Sequence, residues 1–261
     1  MRALLFDVDG TLADTEETHR QAFNYAFLHF GFDWEWSPPL YRELLRTSGG
    51  KERIVRFVDT LALPAPERNR LRALVPAIHR EKTRLYTELV ADGRCPLRPG
   101  VNRLLDEASA AGVRLAIAST TTAENVRALL TRHRGADALR EFHGIACGDH
   151  VGRKKPAPDI YHLALAMLGL SADACVAFED STNGVRAAKA AGLCTVVTPS
   201  QWTVGEDFAD ADLTLPHLGE AGRELPPAEA ARVGGPWLGL AELRRLHAAC
   251  NARAALELVR P

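Results

Sequence analysis

Two carboxylates stand one residue apart, directly after the first apolar segment of the chain. Asp7 and Asp9 follow the apolar run 3–6, which is typical of a strand buried on both faces of a parallel sheet. Gly10 then allows a sharp turn. Because like charges raise each other's pKa, carboxylates held this close favour a bound cation, and Mg²⁺ with substrate phosphate fits that need. One carboxylate is then free to act as a nucleophile and form an aspartyl-phosphate; a solvated acidic turn is the alternative.

Further polar residues follow three later strand-like runs, where ligands of an open parallel sheet bind. They are Ser119, Thr120, Thr121, Lys155, Glu179 and Asp180. Acidic pairs, hydroxyls and an amine together suit phosphoryl transfer, since the phosphoryl charge must meet a metal, a cation and hydrogen-bond donors. Singly, Ser119 or the 179–180 pair could cap a helix, and Lys154 and Lys155 could be a solvated surface pair. The occurrence of all of them at strand ends favours the catalytic interpretation.

The periodicity of the chain predicts an α/β fold with a Rossmann-like parallel sheet and an inserted α-helical cap. Apolar strand patterns alternate with helical patterns after residue 95, which indicates βαβ units, whereas residues 14–95 contain helical patterns and no convincing strand. The predicted division is a core of residues 1–13 and 96–219, a cap of residues 14–95, and an extension of residues 220–261. Within the extension, residues 220–235 are expected to form a linker or mobile loop and residues 238–259 one helix.

Composition excludes several classes of partner. The chain has 261 residues, 46% of them hydrophobic, and 32 basic against 33 acidic residues give a net charge of −1. This balance gives no reason to expect nucleic acid or a membrane surface as partner, and no apolar run approaches the length of a membrane span. Five scattered cysteines (95, 147, 175, 194 and 250) indicate reduced thiols in a cytoplasmic protein. We expect a monomer that acts on a small molecule.

The motifs at the strand ends resemble those of the haloacid dehalogenase (HAD) superfamily of phosphotransferases, subfamily I. The resemblance implies a mechanism in which Asp7 attacks phosphorus and Asp9 serves first as general acid and then as general base. It also implies that Ser119 and Lys155 hold the phosphoryl oxygens. The implied Mg²⁺ ligands are the Asp7 carboxylate, the Asp9 backbone carbonyl, Asp180 and, as a direct or outer ligand, Glu179.

Residues 2–215 further resemble the CbbY-type phosphatases, which act on xylulose-1,5-bisphosphate, a tight-binding misfire product of Rubisco. The residues that carry this likeness are Glu16, His19, Trp34, Trp36 and the segments 41–45, 49–53, 78–83 and 97–100. A bisphosphate needs a second anion site in the cap. Gly49 and Gly50 at a helix start would expose backbone N–H groups at the positive end of the helix dipole.

Charged and polar cap residues are therefore predicted to contact the substrate, together with Thr120 and Thr121 of the core. The predicted contacts in the cap are Glu16, His19, Gly49, Gly50, Lys51, Glu52, Arg53, His79, Arg80 and Lys82. The alternative for each charged residue is a solvated position on a cap helix. Two other functions stay open at this point: a β-phosphoglucomutase-like mutase or broad sugar-phosphate phosphatase, and a phosphosugar-binding regulator without turnover.

Overall fold

The computed structural model describes residues 1–258 and contains one parallel sheet. Within those residues the sheet has six strands in the order β3-β2-β1-β4-β5-β6, all paired in parallel. The strands are β1 Ala3–Phe6, β2 Arg114–Ala118, β3 Phe142–Ala146, β4 Cys175–Glu179, β5 Cys194–Val197 and β6 Leu213–Thr214. β1 lies between β2 and β4, so its carboxyl end is at the point where the strand order reverses. The predicted Rossmann-like α/β fold is confirmed.

Helices cover the sheet and fill the interval between β1 and β2. In chain order they are α1 Glu16–His29, α2 Pro38–Leu44, α3 Gly50–Thr60, α4 Ala65–Ala91, α5 Val101–Ala110, α6 Ala123–Arg134, α7 Asp159–Leu168, α8 Thr182–Ala190, α9 Pro227–Val233 and α10 Leu240–Leu258. In the part of the chain that the structure describes, no helix combines the length and the apolar character needed to cross a membrane.

The four helices α1–α4, here called the cap, have an apolar cluster of their own. Phe23, Phe27, Trp36, Tyr41 and Ile54 are almost fully buried in it. The Trp36 ring lies 4.6 Å from that of Phe23 and 4.9 Å from that of Phe27, measured between centroids. Such aromatic packing buries large areas and holds the helices in fixed relative positions. The cap can therefore present side chains to the sheet from a rigid support.

The C-terminal extension packs against the core. Residues 220–235 contain the helix α9, so their prediction as a linker is wrong. Leu225, Val233, Leu238 and Leu243 belong to the main core cluster. The predicted helix 238–259 is α10, and its residue 259 lies outside the described residues.

The prediction of five reduced cysteines is wrong for two of them. Cys194 of β5 and Cys250 of α10 form a disulfide, with their Cα atoms 6.0 Å apart. The pair was not recognised because 56 residues separate them along the chain, and packing of α10 beside β5 brings them together. Cys95, Cys147 and Cys175 are free and buried.

One buried arginine ties three segments of the core together. Arg98 donates hydrogen bonds to the carbonyl oxygens of Gly10, Thr198 (2.9 Å) and Pro199 (2.9 Å), and also to that of Pro216 (3.1 Å). These carbonyls belong to the segments that follow β1, β5 and β6, so Arg98 holds all three segments at the same edge of the sheet.

Replacing this arginine should destabilise the fold. Arg98→Met keeps the apolar stem but leaves buried carbonyls without donors, and we expect the free energy of unfolding to fall by about 3 kcal/mol. Urea unfolding followed by far-ultraviolet circular dichroism measures the change. Arg140→Met is the matched control, because that guanidinium is exposed and pairs with the exposed Asp137. Equal unfolding midpoints for the two variants would contradict the assigned role of Arg98.

Candidate active site

A cavity of about 400 Å³ lies at the carboxyl ends of the central strands, beneath the cap. Residues from the core and from the cap line this cavity. Its lining includes Asp7, Asp9, Thr120, Thr121, Asn125, Lys155, Asp180 and Thr203 from the core and Glu16, His19, Gly49, Gly50, Arg53, His79 and Lys82 from the cap. The structure therefore brings strand-end residues that are far apart in the sequence into one site.

Three carboxylates and one ammonium group lie at the floor of this cavity, where Asp7, Asp180 and Lys155 line it and Glu179 lies directly beneath. Lys155 Nζ donates to Asp7 Oδ1 (2.7 Å) and to Glu179 Oε1 (2.5 Å), which also accepts a hydrogen bond from the Tyr161 hydroxyl. Burial alone would lower the pKa of Lys155, but the two carboxylates raise it above its usual range, so the ammonium stays charged. One cation thus faces three acidic side chains, counting Asp180.

The floor of the cavity carries more negative than positive charge. Burial raises the pKa of Asp7 to about 7, against the opposing charge of Lys155 and with the charges of Glu179 and Asp9 adding to the rise. Burial, followed by the charges of Asp7 and Glu179, raises the pKa of Asp180 well above its usual range. A further cation would remove this repulsion.

The residues present fit a divalent cation bound through oxygen. Carboxylate oxygens of Asp7, Glu179 and Asp180 all lie within 4.8 Å of one another, and Glu179 Oε2 has no hydrogen-bond partner among the described residues. A Cβ at Gly10 would overlap Asp180, and a Cβ at Gly184 would overlap Glu179, so both glycines leave room for the carboxylates. Buried, convergent oxygens of this kind suit Mg²⁺.

Asp9 is held by partners from the cap and is directed differently from Asp7. Its Oδ1 accepts hydrogen bonds from Thr15 Oγ1 (2.7 Å) and His19 Nε2 (2.9 Å), while His19 Nδ1 lies 2.6 Å from Lys82 Nζ. A lysine ammonium can only donate, so with Lys82 charged His19 is neutral and carries its hydrogen on Nε2. Burial would raise the pKa of Asp9, but His19, Thr15 and Lys82 hold it well below its usual range.

The cap side of the cavity carries a buried guanidinium next to a carboxylate. Arg53 is buried, donates from Nη1 to the Tyr41 hydroxyl (2.8 Å), and lies 4.0 Å from Glu16 Oε2. Its Nε has no hydrogen-bond partner in the part of the chain described. Burial lowers the pKa of Lys82 to about 7 and that of His79 to about 3, so His79 is neutral at physiological pH. Unused donors on a buried guanidinium suit an anionic ligand.

Several residues that the sequence assigned to the site lie outside the lining. Ser119 and Glu179 are buried beneath it. Lys51 is half-exposed and donates to Asp149 of the core (2.9 Å), and Glu52 and Arg80 are exposed. Adjacent residues of a helix point in different directions, so Lys51 and Glu52 cannot share the face of Gly50 and Arg53. Substrate contacts by these cap residues stay predictions.

The structure excludes the alternative roles considered for the strand-end residues, namely helix caps and a solvated surface pair. The hydroxyl that caps α6 belongs to Thr122, not Ser119, and Ser181, not the 179–180 pair, caps α8. Lys155 is buried, which excludes a solvated surface pair. Sequence reasoning missed Thr15, which donates to Asp9, and Asn125, whose Nδ2 donates to Thr121 Oγ1 (3.0 Å). Thr15 stands one helical turn before His19 at the start of α1, so helical spacing could have found it, whereas Thr121 precedes α6 and no such spacing points to Asn125.

Comparison with known proteins fits this arrangement. The family model of haloacid dehalogenase-like hydrolases matches residues 1–192. The chain belongs to this family. It is 48% identical to the plasmid-encoded protein CbbY of Cupriavidus necator over 250 residues, 95% of this chain and 97% of that one. The predicted family and the hydrolase class are thereby confirmed.

Two solved structures of CbbY from Rhodobacter sphaeroides are similar as well. A mutant in complex with xylulose-1,5-bisphosphate is 47% identical, with a TM-score of 0.80 over 93% of this chain and 99% of that chain. A complex with phosphate is 49% identical, with a TM-score of 0.77 over 83% of this chain and 94% of that chain. The HAD-like fold therefore extends over nearly the whole chain.

Proposed function

We propose that the protein is a Mg²⁺-dependent phosphatase that hydrolyses a sugar bisphosphate, xylulose-1,5-bisphosphate, through a phospho-aspartyl intermediate on Asp7. The observation that carries the proposal is a single cavity that has basic side chains both on its floor and on its cap side. The floor offers Lys155 and a carboxylate cluster suited to Mg²⁺, and the cap offers Arg53 and Lys82. The complex of a 47% identical relative with xylulose-1,5-bisphosphate supports the choice of sugar.

Asp7 is arranged to act as the nucleophile. Lys155 holds its Oδ1, which fixes the carboxylate and leaves Oδ2 as the oxygen that attacks phosphorus. When bound, Mg²⁺ would neutralise the carboxylates of Asp7, Glu179 and Asp180 and stabilise charge on the phosphoryl oxygens. Thr120 and Thr121 line the same cavity as the nucleophile, and their hydroxyl and backbone N–H groups can hold those oxygens.

Asp9 is arranged to move protons in both halves of the reaction. As Asp7 bonds to phosphorus, the bond from phosphorus to the sugar oxygen breaks, and Asp9 donates a proton to that oxygen. Asp9 then removes a proton from the water that attacks the phospho-aspartate, which releases inorganic phosphate. His19 and Thr15 lower the pKa of Asp9 and keep it ionised in the empty site, and the charge of the bound phosphoryl group would raise that pKa so that Asp9 can hold the proton it transfers.

Metal binding should be visible without any turnover. Adding Mg²⁺ at 100 times its dissociation constant is expected to stabilise the fold by about 2.7 kcal/mol, because only the folded chain brings the three carboxylates together. Differential scanning fluorimetry measures the rise in Tm. Asp180→Asn should abolish the shift, while Asp212→Asn, at a carboxylate outside the cavity, should keep it. A shift of the same size in both variants would place the cation elsewhere.

The function is tested by phosphate release from C5 and C6 sugar mono- and bisphosphates, with and without Mg²⁺. We expect the highest kcat/KM with xylulose-1,5-bisphosphate and a loss of release after chelation. Conversion of a hexose 1-phosphate to its 6-phosphate without phosphate release would instead support a mutase. Binding of the bisphosphate without any turnover would support a regulator and would overturn the proposal.

A further inference from the structure

A tryptophan from the core is inserted into the apolar cluster of the cap. Trp202 lies in the loop between β5 and β6, yet its ring is buried among the aromatic residues of α1–α3. The ring meets that of Tyr41 edge to face, with centroids 5.4 Å apart. Arg42 stacks over the same indole at 5.8 Å and donates to the carbonyl oxygen of Gln201 (3.2 Å). The loop therefore docks on the cap through both packing and a hydrogen bond.

The cap side of this contact leads to the cavity. Tyr41 stands between Trp202 and the lining, where its hydroxyl donates to Glu16 Oε2 (2.6 Å) and accepts from Arg53 Nη1 (2.8 Å). The Arg53 guanidinium also lies 5.1 Å above the Tyr41 ring. Because Tyr41 contacts both groups, its position sets the positions of Glu16 and Arg53 over the cavity.

The core side of the contact leads to the carboxylate cluster. The residue after Trp202, Thr203, lines the cavity, and its hydroxyl lies 3.3 Å from Asp180 Oδ2. Thr203 Oγ1 also accepts from the backbone N–H of Ser200 (2.9 Å), and Ser200 Oγ accepts from that of Trp202 (3.3 Å). A tight turn thus links the indole rigidly to a residue that contacts Asp180.

We propose that Trp202 is a positioning residue that seats Tyr41, and through it Arg53 and Glu16, over the core when the cap is closed. Tyr41 is the aromatic partner that links Trp202 to Arg53 and Glu16 in the lining, so Trp202 would determine which substrates are used by way of Tyr41. A substrate that reaches the cap needs this contact, whereas a small phosphate ester that occupies only the floor does not. The inference rests on the proposed phosphatase function.

Two substrates and two variants test it. Trp202→Ala is expected to lower kcat/KM for xylulose-1,5-bisphosphate by about 30-fold, mainly through KM, since the loss falls on binding by the cap. With p-nitrophenyl phosphate, which lacks a part to engage the cap, kcat/KM should change less than about threefold. Trp202→Phe keeps an aromatic ring and removes an indole N–H that has no partner among the described residues, so it should restore most of the loss and fold normally.

A double-mutant cycle with Tyr41→Phe, which removes the hydroxyl and keeps the ring, isolates the coupling. If Trp202 acts through Tyr41, the double variant Trp202→Ala/Tyr41→Phe should be hardly worse than the worse single variant on the bisphosphate. Equal losses on both substrates, or multiplicative losses in the cycle, would overturn the inference. Should the alanine variant fail to fold, Trp202→Leu replaces it.

The outcome is independent of the identity of the sugar. Wild-type turnover of xylulose-1,5-bisphosphate tests the proposed function by itself. If the wild type does not turn it over, the ratio of variant to wild type is measured on the sugar phosphate that the wild type hydrolyses fastest. A selective loss on that sugar relative to p-nitrophenyl phosphate supports the role of Trp202, and an unselective loss contradicts it.

Discussion

Asp7→Asn is expected to lower kcat by at least about 10⁴-fold, the size of loss that follows removal of a group that bonds to the substrate. An amide cannot attack phosphorus and cannot carry the negative charge that Lys155 and a divalent cation require. Its shape is almost unchanged, so the packing around the end of β1 should persist. Phosphate release under single-turnover conditions measures the loss without interference from product release.

The Asp7→Asn variant should still bind the substrate although its turnover is lost. Asp7→Asn removes one of three clustered carboxylates, which lessens the repulsion that raises the pKa of Asp180. Burial raises the pKa of Asp7 itself to about 7 against about 3.8 in the unfolded chain, so its ionisation destabilises the metal-free fold as pH rises between those values. The metal-free variant should therefore be at least as stable as the metal-free wild type at pH 8.

Two results would contradict the nucleophile role. One is residual turnover above a few per cent of the wild type with unchanged pH dependence. The other is a parallel fall in kcat and thermal stability, which would indicate damage to the sheet. Asp14→Asn is the matched control, because Asp14 is an exposed aspartate near the same strand that does not line the cavity. It should retain nearly full activity.

The fold and the floor of the site could be predicted from local sequence patterns, because in a parallel sheet the positions of the strands also fix where the residues after them lie. Buried runs of four or five apolar residues mark parallel strands, and the residues after such strands meet at one edge of the sheet. Asp7, Lys155 and Asp180 could be assembled from the sequence on this basis. Confirmation of the HAD-like family agrees with it, while the role of each residue stays a proposal.

Features that depend on contacts between distant segments could not be predicted. β6 has two residues that pair with β5, too few to give a strand pattern in the sequence. Trp202 resembles an ordinary loop residue until the cap is placed against it. The disulfide between Cys194 and Cys250 required the position of α10. α9 is different: Pro227 in its first turn and Gly234 at its end, with φ of 84°, are ordinary helix signals that the glycine and proline content of the segment obscured.

Charge alone leaves the position of the second anion site open, because a helix start with Lys51 and Arg53 does not show which of them faces the cavity. α3 turns about 100° per residue, so Gly50 and Arg53 share one face and Lys51 points elsewhere. Lys51 pairs with Asp149 across the cap and core, whereas Arg53 is buried in the cavity wall with an unused donor at Nε. Arg53 is therefore the stronger candidate for the phosphate that is not transferred.

Arg53→Met is expected to raise KM for the bisphosphate about 100-fold, equivalent to about 2.7 kcal/mol, because a charge-assisted and desolvated contact is lost. Its effect on a sugar monophosphate should stay below about tenfold, since no distal phosphate is present. Lys51→Met, two residues away on the same helix, is the matched control and should change KM less than about threefold, the scale of an exposed ion pair. Steady-state kinetics of both variants on both substrates decide between the two positions. If Lys51→Met gave the larger and more selective loss, the distal phosphate would lie at the rim of the cap, where Lys51 meets Asp149, and not in the buried wall beside Tyr41.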